Sequence, residues 1–172
     1  MGSSSWSYFV PYDEDINAAV QRLRQQVFEH GDYLLLDDWE LWNESDARIE
    51  AGEDPLIVEA DRRTKRDALP KPGSIDELFA WNEDSGTHSI IDMAEGASDT
   101  PDFGTVSPLT EAELRATFGT TKPTHAQIAQ WEQSSPDGDP IGDLRRRWEG
   151  LYIIVYVDDA PSELYFAGFS GD

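Results

Sequence analysis

The chain has 172 residues, thirty-five acidic and thirteen basic side chains, and a formal charge of −22. A field of that sign repels phosphate backbones and anionic lipid headgroups, since binding to either rests on Lys and Arg displacing counterions; direct nucleic-acid binding and membrane association are therefore excluded from the expected functions. With no cysteine a disulfide framework is impossible, so a chain of this length is expected to form one α+β domain over residues 1–172, with an apolar core to which six Trp, six Tyr and seven Phe contribute.

The first ten residues lack the basic and apolar segments of a signal peptide. The longest apolar run, Leu151 to Val157, falls far short of the roughly 20 residues that span a bilayer. Together with the missing cysteines this reads as a cytoplasmic protein.

Trp6 to Val10 alternates large and small residues up to Pro11, the pattern of a short strand closed by a turn. Asp13 then reads as a helix N-cap with Glu14 and Asp15 in the first turn, where anions complement the helix dipole. Ile16, Val20, Leu23 and Val27 recur at helical spacing and Gly31 stops the helix. Tyr33 to Trp42 fits a buried strand through Leu34 to Leu36, or a helix with Leu35, Trp39 and Trp42 on one face. Asn43 to Pro55 is polar and acidic and reads as loop or a poorly ordered helix, and Leu56 to Ala60 as a short strand. The basic run Arg62, Arg63, Lys65 and Arg66 leads as a connector to Pro70, Pro72 and Gly73.

Ser74 with Glu77 makes a capping box, starting a helix that ends near Gly86. His88 to Met93 is expected as a strand, and Ala94 to Pro108 as loop. Thr110 with Glu113 and Thr124 with Gln127 are two further boxes, and Leu109 can staple to Leu114. After a turn at 134–140, Ile141, Leu144 and Trp148 share a helical face that Gly150 closes. Leu151 to Val157 carries apolar side chains on both faces, as a central strand does, and turns through Asp158 to Ser162 into Glu163 to Phe169. The sum is a small, mostly antiparallel sheet with a C-terminal hairpin, packed by four or five short helices.

The segments Tyr8 to Tyr12 with Asp15 to Ala19, Gly86 to Asp92, and the hairpin Tyr152 to Phe169 resemble a family of small acidic bacterial proteins. The resemblance extends over most of the chain and implies no activity, ligand or site residue.

Catalytic and metal readings are weak on spacing. His88, Ser89 and Asp92 supply the residue types of a triad, yet on a strand residues 88 and 92 stand about 13 Å apart and Ser89 points to the other face. His30, His88 and His125 are too far apart for a transition-metal motif, and His30 suits the end of its helix. Asp137, Asp139, Gly142 and Asp143 imitate part of a calcium loop, but Ile141 and Trp148 occupy positions that need oxygen ligands. Asp13 to Asp15, or Asp37, Asp38 and Glu40, could pair carboxylates for glycoside hydrolysis beside Trp39 and Trp42. No nucleotide or other cofactor fingerprint is present. Arg62 to Arg66 and Arg145 to Arg147 are expected to pair with neighbouring acids. No catalytic residue, metal ligand or cofactor is assigned.

Charge is uneven along the chain: residues 1–60 carry −11, residues 61–120 carry −6 and residues 121–172 carry −5. The expected function is an acidic protein-binding or inhibitory, immunity-like module that docks a basic protein partner by electrostatic steering and aromatic anchoring. Asp37, Asp38, Trp39, Glu40 and Trp42 form the expected face, with Asp13 and Glu14 at its rim. The alternatives are a small hydrolase-type enzyme with a dispersed carboxylate or His site, and a solubility-adapted protein whose charge has no partner.

Overall fold

In the computed structural model, which describes residues 5–82, 85–134 and 141–170, the chain opens with strand β1 (Ser5–Pro11) and helices α1 (Ile16–His30), α2 (Leu36–Glu50), α3 (Pro55–Asp67) and α4 (Ile75–Asn82). A 3-10 turn at Ile90–Asp92 leads to β2 (Gly96–Ala97), β3 (Thr105–Pro108), α5 (Glu111–Phe118), α6 (His125–Ser134), β4 (Glu149–Val157) and β5 (Ala160–Phe169).

The five strands form one sheet in the order β1-β5-β4-β3-β2. β1, β5 and β4 are antiparallel neighbours, while β3 joins β4, and β2 joins β3, in parallel. The sheet is therefore mixed, although its longest pairings are antiparallel. Parallel pairing of β3 with β4 is possible because α5 and α6 lie between them in sequence and supply the crossover. Asp158 and Asp159 both have positive φ, 49° and 64°, the twist that a two-residue hairpin turn requires between β4 and β5.

Both faces of the sheet are covered, and the period-two alternation divides the side chains between them. On one face Leu164 and Phe166 of β5 meet Val20, Leu23 and Val27 of α1, with Leu78 of α4 and Ile90, Ile91 and Met93 around the 3-10 turn. On the other, Leu151, Ile153 and Val155 of β4 with Tyr165, Ala167 and Phe169 of β5 meet Leu109 and Ile128, flanked by Leu114, Phe118 and Trp131. α1 ends as expected at Gly31 in the left-handed conformation, but its N-cap is Asp15, whose carboxylate accepts from Ala18 N at 2.9 Å. The boxes at Thr110 and Thr124 form as read: Thr110 Oγ1 accepts from Glu113 N and Thr124 Oγ1 from Gln127 N. At the start of α4, Ser74 Oγ accepts from Glu77 N at 3.1 Å.

Several expectations are corrected. There are six helices among the described residues. Tyr33 to Trp42, open between strand and helix, resolves into an extended entry and the start of α2, which continues to Glu50 through residues expected as loop or a poorly ordered helix. Leu56 to Ala60 is helical, because Asp54 accepts from Leu56 N at 2.9 Å and Pro55 occupies the first helical position; the basic run belongs to the same helix, α3. His88 to Met93 cannot extend as a strand: His88 has φ 56° and Ser89 Oγ accepts from Ile91 N, turning the chain. Ala94 to Pro108 contains β2 and β3. Ile141 to Trp148 makes turns in place of a helix, and Trp148, at φ 65°, ends them. The expected turn falls largely on 135–140, outside the described residues.

Gly150 and Gly168 face each other across β4 and β5, and Trp6 of β1 is opposite Gly168 on the next strand. A methyl group at Gly168 would stand 2.5 Å from the Trp6 ring and 3.0 Å from the Glu149 carbonyl oxygen. The pair of glycines is thus the seat of a buried indole. Gly168→Ala should lower stability by about 1–3 kcal/mol, the usual cost of overpacking, and shift the emission of Trp6. Denaturant titration followed by fluorescence reads both, and unchanged midpoint and emission would refute the seating.

Candidate functional site

The sheet has no third face. α2 and α3 therefore pack on each other and make only marginal contact with other elements of regular structure. Their shared interface is thin: the buried side chains on it are Asp38, Ser45 and Val58. The base of this helical hairpin is fixed by directional bonds. Asn82, at the end of α4, accepts from Leu36 N at 3.1 Å and donates to the Leu34 and Gly86 carbonyls, both at 2.7 Å, while Arg66 donates to the Tyr33 carbonyl at 3.2 Å.

Nine large apolar residues are exposed among those described, and six of them, Leu36, Trp39, Trp42, Ile49, Leu56 and Ile57, lie on this hairpin. At 100° per residue Trp39, Trp42, Asp46 and Ile49 fall within about 80° of one another along α2, so three apolar side chains and one carboxylate form a stripe. Trp39 is 60% exposed. Trp42 is half covered: the Arg62 guanidinium sits 3.9 Å above its ring, held there by Glu59 through bonds of 2.9 and 2.7 Å.

The charges of the hairpin are sorted by partner. Residues 36–67 contain eleven acids and five bases, a net of −6. All five bases are engaged inside it, Arg48 with Glu53 and Asp61, Arg62 and Arg63 with Glu59, Lys65 with Glu44 and Asp61, and Arg66 with Asp38. Hydrogen bonds from Arg48 hold Glu53 and Asp61, and those from Arg62 hold Glu59, below the usual carboxylate range. Asp37, Glu40, Asp46 and Glu50 enter no ion pair among the described residues, and their charge faces outward.

The residues expected to form one face divide into three groups. Trp39, Glu40 and Trp42 are exposed on the first turns of α2, and so is Asp37, which lies about 160° around the axis from Trp39. Asp38 does not join them. It is 2% exposed and turned inward, accepting from the N-cap Leu35 N at 2.9 Å, with its other oxygen 3.3 Å from Arg66 Nε. Asp13 and Glu14 lie at the far end of α1, about 22 Å along its axis from its junction with α2, so they do not rim this face. Asp13 is bonded to Arg22, which holds its carboxyl below the usual range. Sequence reading missed Ile49, Leu56 and Ile57, because 43–55 was read as loop or a poorly ordered helix and 56–60 as a strand.

The triad residue types are dispersed by burial. His88 borders an open hollow with Asp32, Tyr33 and Arg66. Ser89 and Asp92 lie inside: the Ser89 hydroxyl shares a 2.8 Å bond with Thr87 Oγ1, and Asp92 Oδ1 accepts from Thr87 N at 2.8 Å. This ties their oxygens to the turn that seats Ile90 and Ile91 in the core. Gly142 and Asp143 are exposed, and Asp137 and Asp139 lie outside the described residues. Among the described residues no group of three or more His, Asp and Glu is placed to hold a metal ion, and no helix is long and apolar enough to cross a membrane.

Asp92 also carries a pH dependence. Burial raises its carboxyl above the ordinary value, and its Oδ2 lies beside the Ser170 hydroxyl with neither making a well-formed hydrogen bond. Since the folded state binds this proton more tightly than the unfolded chain, the contribution of Asp92 to stability is present at low pH and is lost as pH rises through its elevated pKa. Asp92→Asn keeps the bond from Thr87 N and gives Ser170 a donor. It should stabilise the fold at pH 7 by about 1–2 kcal/mol, with the gain shrinking on acidification; chemical denaturation at pH 7 and at pH 4 measures it, and a loss of stability at pH 7 would refute it.

No family model, curated protein or solved structure matches the chain, so the helical hairpin itself is what a function must be built on.

Proposed function

We propose that the protein is an acidic binding module of the inhibitory, immunity-like kind, which docks a basic protein on the exposed side of α2 and α3. The supporting observation is the coincidence on one hairpin of six of the nine exposed large apolar side chains with carboxylates that have no basic partner of their own. Scattered single apolar residues on a surface need no explanation, but a contiguous stripe of two Trp and an Ile on one helix does. Aromatic anchors supply the contact energy of an interface, and the surrounding charge supplies orientation and encounter rate.

The sign of the partner follows from the hairpin's internal pairing. Its bases are consumed by its own acids, so what it offers outward is negative. A basic surface would be steered to it, and an acidic one repelled. In the competing enzymatic reading, His88 would work at the hollow it borders, while the Ser89 hydroxyl is bonded to Thr87 in the core.

Asp37→Lys with Glu40→Lys should slow association with the captured basic partner about tenfold or more at low salt and flatten its salt dependence, leaving dissociation nearly unchanged. Trp39→Ala should instead speed dissociation. Surface-immobilised binding at low and high salt, with the partner recovered from the native lysate, reads these rates. Association unaffected by either substitution would remove the proposal.

A further inference from the structure

We infer that the element received by this face is an amphipathic helix of the partner, with large aliphatic residues on one side and arginine or lysine on its flanks, lying along α2 to convert the helical pair into a three-helix bundle. The inference rests on the docking function proposed above and specifies the shape and chemistry of what docks.

Three observations converge on a helix. First, the stripe runs lengthwise: Trp39, Trp42 and Ile49 lie at i, i+3 and i+10, and the distance from Leu36 to Ile49 is about 20 Å along the axis. A helix of some 13 to 18 residues matches that length, and i, i+3, i+7 anchors are how helices read such grooves. Second, a two-helix pair whose buried side chains are Asp38, Ser45 and Val58 has little core of its own, and a third helix would bury the apolar side chains that the pair leaves outside. Third, the charged side chains of α2 beside the stripe are acidic: Asp46 lies within it and Glu50 and Glu40 flank it, each without an ion pair among the described residues, with the uncharged Asn43 between these two. Flanking arginines would meet these carboxylates while aliphatic residues cover Trp39 and Ile49.

The same charge argues against a second copy of this chain as occupant. Two hairpins of net −6 brought face to face would place unpaired carboxylates against each other. The hairpin also contains a working example of the contact expected: Arg62 stacked on Trp42 and fixed by Glu59. Trp39, one turn earlier and more exposed, offers a second indole for a guanidinium supplied from outside.

The test uses the full chain with a synthetic amphipathic peptide of about 18 residues, leucine on one face and arginine on both flanks, beside a scrambled peptide of the same composition. The amphipathic peptide should bind at least tenfold more tightly than the scrambled one, gain helical circular dichroism on binding, and shift tryptophan emission to the blue. Trp39→Ala and, separately, Ile49→Ser should each weaken it at least fivefold while far-ultraviolet circular dichroism of the protein stays unchanged. Equal binding of both peptides, abolished by Asp37→Lys with Glu40→Lys, would overturn the helical occupant and leave an acidic docking face standing. Binding of neither peptide at low salt would overturn both. Concentration-dependent dimerisation of the wild type that Trp39→Ala abolishes would overturn the inference in favour of a second copy.

Discussion

The two-sided burial of β4 and β5 is the constraint from which the rest of this structure follows. Alternate side chains along both strands enter separate cores, one closed by α1, α4 and the 3-10 turn, the other by α5 and α6. Apolar burial is roughly proportional to area removed from water, so each core recruits whatever amphipathic helices the topology can deliver to it. Once both faces are taken, α2 and α3 have nothing left to cover. They turn to each other, share a narrow seam, and keep two tryptophans and four aliphatic side chains outside. The exposed surface is thus a by-product of a completed sheet, and its base is fixed by the hydrogen bonds of Asn82 and Arg66.

Electrostatics refine that arrangement without creating it. A chain of −22 has far more acids than bases to match them, and the hairpin illustrates how the shortage is distributed. Its bases sit on α3 or between the helices and draw in Glu44, Glu53, Glu59 and Asp61, which strengthens a seam with little hydrophobic content. Exposed pairs of this kind contribute little individually, and their value here is that several share partners in one network. Of the carboxylates left over, Asp37, Glu40, Asp46 and Glu50 are exposed on α2, Asp54 caps α3 and Asp67 ends it. Aromatic exposure and unpaired negative charge coincide because both belong to the side of the helix that nothing else in the fold covers.

Local chemistry was readable in advance and long-range placement was not. Capping boxes at Thr110 and Thr124, the stop at Gly31 and the alternation of the C-terminal hairpin all depend on residues within a few positions of one another. β2 and β3 are two and four residues long and exist because β3 pairs with β4 and β2 with β3, pairings that no local period encodes. α3 carries a local signal, Asp54 before Pro55, that the apolar run Leu56 to Val58 obscured by resembling a strand. The candidate face was half legible. Trp39 and Trp42 were identified by type and Asp37 and Glu40 by charge, but Asp38, one residue and 100° around the helix, goes to the inside, and only the settled helical geometry tells it from its neighbour.

The thin seam between α2 and α3 has an evolutionary corollary. Leu36, Trp39, Glu40, Asn43 and Asp46 are exposed, and substitutions at such surface positions usually change stability by less than about 0.5 kcal/mol. Selection for folding is therefore nearly blind to them. Substitution there can change recognition without disturbing the seat of Trp6 on Gly150 and Gly168.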